Sequence, residues 1–593
     1  MLGLIYPMGM VLLSWLLLFL LFSGLGLVAL RLLGHRLAVG IACFDSFWLG
    51  WALALAALQL WHLLFAVDDR ALILLAIVAA AGLYQHRQRF IPQLLRLKKH
   101  RAFLLMLLIA LLWMSNRAIE MPDEFDTGFR DIQAVMWMDA YPIVPGLNNL
   151  FSSLAYNHSV YLYQALLDTS IWSGRSYHIA TGLLLTVMLA YSLHSAVNLY
   201  QCRAEERARW SWIFATLVMP FFLFSAVGRG SISHFLTDAT VDLLGILVLI
   251  WLLDFLQDAG ADAKTVSWQV LRLSIVILAG FTIKQTFWVF GAGIAGLVIV
   301  ALVLRAGGLT HLGRLARLSW PILLIAVLFA GPWMLRGVVT SGYIAYPHAI
   351  GRIEVDWAEP PDLIEHRQRQ LATNTRRRYG DPEIVLATWD WVGPWFDGIR
   401  RNVKDFALPA ALTMSGLLLY ASGRLWRRRA GETRGGLGLW VFAPLLIMLA
   451  FWFGSLPNLK YVRYIFWSGA ALSWLLAMLS WTRISWRLRV SITYAVLGIC
   501  LAYFMYLILA QRDFPVSAGP GEGFYQHPLP PVKVYETASG LPLNVPDSHI
   551  HQCWQIPLPC TPFPRKGIFA RVPGQIQHGF GFNADDGLEI PDD

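Results

Sequence analysis

Charge is scarce in this chain: Asp, Glu, Lys and Arg together make up 14% of its 593 residues. A soluble domain carries about a quarter, so a wholly water-exposed surface is excluded. The five cysteines form no paired metal-binding pattern, which removes zinc-finger chemistry and leaves no metal indicated. There is no Walker loop and no Rossmann glycine fingerprint, so nucleotide hydrolysis and nucleotide-sugar use lack sequence support. Internal repeats of the kind that build secondary transporters are missing too. The first apolar segment, Met8 to Leu33, lacks a basic leader and a small-residue cleavage site, and reads as a retained span.

What is present is apolar length. Hydrophobic residues reach 57% and mean hydropathy is +0.54, which places the chain among polytopic α-helical membrane proteins. About fourteen apolar segments follow, near 8–30, 38–66, 71–85, 102–115, 177–200, 210–228, 239–256, 267–283, 286–304, 319–338, 406–422, 437–455, 462–480 and 491–510. The loops 31–37, 86–101, 201–209, 305–318, 423–436 and 481–490 carry the basic clusters, and simple alternation puts all of them on one side. That side is predicted cytoplasmic by the positive-inside bias, which also absorbs the net charge of +10 without a nucleic-acid partner. The N-terminus and the tail then face outward.

This reading divides the chain into N-terminal spans (1–115), a first large outward loop (116–176), a transmembrane core (177–338), a second outward loop (339–405), C-terminal spans (406–510) and a small outward cap (511–593). In an oxidising periplasm Cys553 and Cys560 are expected to pair and close a small loop; a zinc site is the weaker alternative. The expected location is a bacterial inner membrane.

The first outward loop concentrates carboxylates: Asp123, Glu124, Asp126, Asp131 and Asp139. Phe125, Phe129, Ile132 and Met136 recur at three- and four-residue spacing and predict an amphipathic helix lying along the membrane surface. Asp126 stands where it can be a base at the bundle mouth or an N-cap for that helix. Asp131 is a candidate partner for Arg130. Asp238 and Asp242 share one face of a span end, where charge turns inward. Lys284, Arg336 and Arg463 lie near span ends, where phosphate contact competes with snorkelling. His158 and His178 read as substrate-orienting groups or structural hydrogen bonders, and Trp357 as a sugar-stacking or interfacial ring.

The stretch FDTGFRDIQAVMWMDAYPIVPGLNNLFSSLAYNHS resembles the first extracytoplasmic loop of bacterial polytopic proteins related to GT-C glycosyltransferases. The likeness continues through Thr237-Asp238 with Asp242, Thr282-Ile-Lys284, the Gly331-to-Arg336 stretch with SGYIAYP, Val355-Asp356-Trp357, Phe451-Trp452-Phe453 with Arg463, and Cys553-Trp554 to Pro562. It implies a GT-C-like bundle that transfers a sugar from a polyprenyl-phosphate carrier to a glycan, lipid or protein acceptor. An acidic residue of the first loop would be the base: Asp126 first, then Glu124, then Asp131. Lys284, Arg463 and Arg336 would meet the donor phosphate; Asp238, Asp242, His158, His178 and Trp357 would meet the acceptor or support the site. The chain departs from the related pattern at Arg130-Asp131, where a Tyr-His pair is expected, and Asp123-Glu124 offers a rival alignment. A lipid-linked oligosaccharide polymerase or ligase and a flippase are the alternatives. No cofactor is assigned, and a divalent metal, though not indicated, stays open.

Overall fold

The computed structural model describes residues 2–32, 42–96, 100–202, 208–225, 232–235, 237–305, 312–429, 437–481, 486–511, 519 and 522–583. The long helices are α1 (Leu2–Leu32), α2 (Ala42–His62), α3 (Asp69–Arg96) and α4 (Arg101–Ala118), followed by the short α5 (Ile132–Ala140) and α6 (Val160–Leu167). Then come α7 (Ala180–Gln201), α8 (Trp210–Leu217), α9 (Met219–Phe224), α10 (Thr237–Gln257), α11 (Ala263–Ile283), α12 (Phe287–Arg305) and α13 (Leu312–Ser341). The second loop holds α14 (Pro361–Arg376), α15 (Pro382–Ala387) and α16 (Val392–Arg400), and α17 (Leu408–Arg429), α18 (Ala443–Gly454), α19 (Arg463–Ser480) and α20 (Trp486–Gln511) complete the bundle.

Each of the fourteen apolar segments centres on helix. Among the described residues nine helices are long and apolar enough to cross a membrane. Of the remaining five segments, those on the α8–α9 pair and α18 are shorter and those on α3 and α19 are diluted by polar residues, while α20 is a 26-residue apolar helix.

At the middle stands α10, whose residues are all buried except Gln257. A helix that is apolar on every side belongs inside a bundle rather than against lipid on one face. It meets α19 at close range: a Cβ on Gly245 would lie 2.2 Å from Tyr464, so only glycine allows that approach.

The tail folds into two antiparallel hairpins, β1 (Val532–Glu536) with β2 (Pro542–Pro546) and β3 (Ile568–Ala570) with β4 (Phe580–Phe582). A Cys553–Cys560 disulfide closes the loop between the hairpins. This cap rests on the first loop. Trp554 donates its N–H to Gly128 O at 2.9 Å, Gln133 Nε2 donates to Trp554 O and Ile556 O at 2.9 and 2.8 Å, and Phe580 N–H reaches Pro145 O at 3.0 Å. Arg571 holds Asp356 of the second loop at 2.8 Å. The first loop, the second loop and the tail therefore form one polar layer over one end of the bundle.

The first loop differs from its sequence expectation. A π-turn spans Thr127–Asp131, and α5 follows with Ile132, Gln133, Ala134, Val135, Trp137 and Met138 buried. It is not a surface helix. The apolar stripe is real, with Phe125 and Phe129 stacked at 5.0 Å and Phe129 against Phe563 at 6.1 Å. The cap covers that stripe through Phe563, and such a cover is what periodicity cannot report.

Candidate functional site

Asp126 makes no capping hydrogen bond, so the N-cap role is not taken up. Its carboxylate points instead toward cations: Lys460 Nζ is 3.1 Å from Oδ2 and Arg130 Nη2 is 3.9 Å away. The π-turn is the local cause. Its wider turn, closed by Ile132 N–H on Thr127 O, lets Asp126 and Asp131, five residues apart, flank Arg130. Arg130 Nε is 2.8 Å from Asp131 Oδ1, and the Tyr161 hydroxyl of α6 donates to the same oxygen.

Behind this pair the charges continue inward. Lys284, at the break between α11 and α12, holds Asp238 at the start of α10, with its ammonium 4.1 Å from the centre of the Tyr461 ring. One turn deeper, Arg463 Nε at the start of α19 lies 3.4 Å from Asp242, an ion pair without good hydrogen-bond alignment. Exposure falls along the series. The side chains of Lys460 and Asp126 are 34% and 23% accessible, Lys284 and Asp238 15% and 7%, and Arg463 and Asp242 11% and 1%. The cluster thus has an open rim and a closed floor, assembled from five separate stretches of chain.

Electrostatics separate its carboxylates. Burial works against ionised Asp126, but Arg130, Lys460 and Lys284 outweigh it and hold the group down to about 2. Asp131 goes the other way: full burial, with Asp126 adding to it, pushes it up to about 6 despite Arg130. Burial opposes the Lys460 charge as well, yet Tyr461, Asp126 and Asp238 keep its proton held more tightly than usual. Lys284 is shifted down by burial in spite of Asp238.

The other expected site residues fall elsewhere. Glu124 makes no side-chain ion pair or hydrogen bond among the described residues, while its neighbour Asp123 is engaged by His234 at 2.9 Å. Arg336 is not in the cluster. It is buried on α13, donating from Nε to Asn157 at 3.0 Å and facing His62, so the expectation of a phosphate contact there is corrected. His158 sits beside Tyr161 with its Nδ1 2.6 Å from Ile283 O, and burial, with Arg130 and Lys284 nearby, lowers it to about 3. It is neutral there. His178 bonds Ala118 O at 2.6 Å, under the cap. Trp357 donates to Val338 O at 3.2 Å with Arg571 over its ring, and serves the cap contact. Arg229, a possible partner for Asp238, lies outside the described residues. Sequence reasoning passed over Lys460 as a site residue, and Tyr161 and Tyr461 altogether; the one signal was the polar, turn-forming stretch Pro457-Asn458-Leu459-Lys460.

Among the described residues no group of three or more His, Cys, Asp or Glu is placed to hold a metal ion. A cluster of this kind can bind an anionic group at the Lys460 rim and take up a proton at a carboxylate beside it.

No curated protein and no solved structure matches the chain. One family profile does, over residues 8–467, described as a domain of unknown function, DUF8201. That match takes in the first loop, Asp238, Asp242, Lys284, Lys460 and Arg463, and leaves the capping hairpins beyond it; the chain belongs to the DUF8201 family.

Proposed function

We propose that this protein is a membrane glycosyltransferase of GT-C type, which moves a sugar from a polyprenyl-phosphate carrier to a glycan, lipid or protein acceptor at the face covered by the cap. The observation that carries the reading is Asp126: a partly open carboxylate at the rim of a buried ion cluster, 3.1 Å from a lysine. In the reaction the acceptor oxygen bonds to the anomeric carbon as the carbon–oxygen bond to phosphate breaks. The acceptor's proton passes to Asp126, and polyprenyl phosphate departs with the electron pair, steadied by Lys460 and then Lys284 and Arg463.

A carboxyl held near 2 is by itself a weak base. A donor phosphate at the rim changes that. When it takes Lys460 and Arg130 as partners, two of the charges that depress Asp126 are neutralised, so its proton affinity rises only with donor in place. Asp131, its Oδ2 buried without a hydrogen-bond partner, positions Arg130 rather than meeting substrate. The periplasmic orientation of this face in a bacterial inner membrane belongs to the same proposal.

The test uses membranes containing the full chain and radiolabelled polyprenyl-phosphate sugars. Transfer of label to an envelope glycan, lipid or protein, lost in Asp126→Asn while carrier binding persists, supports the assignment. Loss in Glu124→Gln with Asp126→Asn active moves the base to the rival alignment. Movement of intact carrier across the bilayer without transfer makes the protein a flippase.

A further inference from the structure

Arg336 lies on α13, one of the helices apolar enough to cross a membrane, with 1% of its surface accessible. Among the described residues no Asp or Glu pairs with it. Of the N–H donors on its guanidinium, the one on Nε reaches Asn157 at 3.0 Å and one on Nη1 faces His62, which leaves the others without a hydrogen bond among the described residues. The neutral groups around it are already engaged. Asn157 gives its amide N–H to Trp333 O at 2.7 Å, the Thr340 hydroxyl donates to Arg336 O at 3.0 Å, and the His62 ring also meets the Tyr141 carbonyl. The C-terminus of α2, which ends at His62, offers about half a negative charge. The rest of the guanidinium charge is uncompensated, and a buried charge in that condition is costly. Beside it is a cavity of about 20 Å³, walled by α2, α5, α13 and the turn that follows α5. Such a space admits a single particle of about the size of a water. It is too small for a phosphate, and no carboxylate lines it.

We propose that this cavity holds a chloride ion, set against the Arg336 guanidinium and tying α13 to α2 and the first loop. A water there would accept from the free N–H groups without supplying charge, whereas a monatomic anion does both. The place is one where elements join. Ile143 N–H of the first loop meets His62 O at 2.9 Å, and Val67 N–H, just past α2, meets Met138 O of α5 at 2.9 Å. An ion at Arg336 therefore steadies the seat of the loop that carries α5. Pro142, on the cavity wall, is exposed, which gives a small ion a way in from the side of that loop. The site stands whether or not the chain transfers sugars, because none of its residues belongs to the Asp126 cluster.

The experiment compares thermal unfolding of the purified full chain in sodium chloride and in sodium methanesulfonate of equal ionic strength, the second anion being too large for the cavity. Chloride is expected to raise the unfolding temperature by at least about 2 °C, because a ligand of the folded state alone stabilises it. Arg336→Met, which removes the charge at similar length, should abolish that difference, and Arg336→Lys, which keeps the charge, should retain part of it. Crystals soaked in sodium bromide supply a reading that needs no variant: an anomalous peak within hydrogen-bond reach of the Arg336 guanidinium is the expected result. Equal unfolding temperatures in the two salts, a chloride effect of the same size in Arg336→Met, or a water or empty space without anomalous signal beside Arg336 overturns the proposal.

Discussion

The two ends of α10 carry charge in different ways. Near its start, Asp238 and Asp242 meet Lys284 and Arg463; near its finish, Asp254 meets Arg209 at 3.1 Å and Arg272 at 3.5 Å. The two sets are 16 positions, or about 24 Å, apart along the helix. At the far end Arg272 also holds Asp45 at 2.7 Å, Trp251 donates to that same carboxylate at 3.0 Å, and Ser211 and Gln269 bond Asp254 and Asp258. Arginines and neutral donors knit that network, which binds α2, α8, α10 and α11 together. At the cap end two lysines, Lys284 and Lys460, stand beside Arg130 and Arg463, the rim is open, and the Asp242–Arg463 pair is poorly aligned. Lysine is a point charge that can change partners, whereas arginine's planar fork locks geometry. The contrast separates a brace from the proposed site on one helix.

Breaking the brace should have the largest effect. Arg272→Ala leaves Asp45 and Asp254 short of a counter-charge in the bundle interior, at a cost of about 3–5 kcal/mol. The expected result is loss of monodisperse protein in detergent and a steep fall in the unfolding temperature; an unchanged unfolding curve would make the two ends alike.

Asp126→Asn tests the open end. It should reduce glycosyl transfer by about 10²–10⁴-fold, the usual worth of a general base. Thermal unfolding should move little, because that carboxylate is partly solvated.

The cap is found at one end only, and Gly128→Ala should loosen it there. An added Cβ would lie 2.3 Å from the Trp554 ring, so the indole must move, at about 1–3 kcal/mol. Limited proteolysis should then cut the tail faster, with the helical bundle intact.

Lys460→Gln should weaken polyprenyl-phosphate binding about tenfold, and Lys460→Arg should restore most of it. The same exchange at the brace, Arg272→Lys, should not rescue, since one ammonium cannot reproduce the fork.

The smallest effect is in the pH dependence of stability. Asp131 is raised from 3.8 to about 6 in the folded protein, so its charged form is disfavoured by folding; lowering pH through 6 toward 4 protonates it in the folded state first and relieves that cost. Asp126 is depressed to about 2, so its contribution is present above 3.8 and is lost only below that. Asp131 should therefore contribute a slight gain between pH 7 and 5, set against the loss from His158 and His178, which stay neutral in the folded protein while the unfolded chain takes up their protons, and Asp131→Asn should remove the Asp131 gain. Asp139 titrates in the same interval and remains in both proteins, so the difference between their unfolding curves isolates Asp131.

Much of the bundle was legible in the sequence because membrane thickness dictates the length of an apolar run, and every such run lies on helix. The site was legible in part. Asp126, Asp238, Asp242, Lys284 and Arg463 stand out as charges at the edges of apolar segments, where burial is costly enough to need a reason. Lys460 carries no such mark: it is 334 residues from Asp126, and only the packing of α19 beside α10 brings it there. Tyr161 looked like one aromatic among many. Arg336 misled because a span-end arginine reads the same whether it faces the mouth or, as here, Asn157 and His62. The stripe on the first loop misled for a related cause, since spacing reports one apolar face and does not say whether lipid or a cap covers it.

The most direct measurement is the structure of the full chain in a lipid nanodisc with bound polyprenyl phosphate. Phosphate density within hydrogen-bond reach of Lys460 and beside Asp126 is the expected result. Density at the Arg209–Arg272 end, or a lipid path running the length of α10 between the two clusters, would contradict the account.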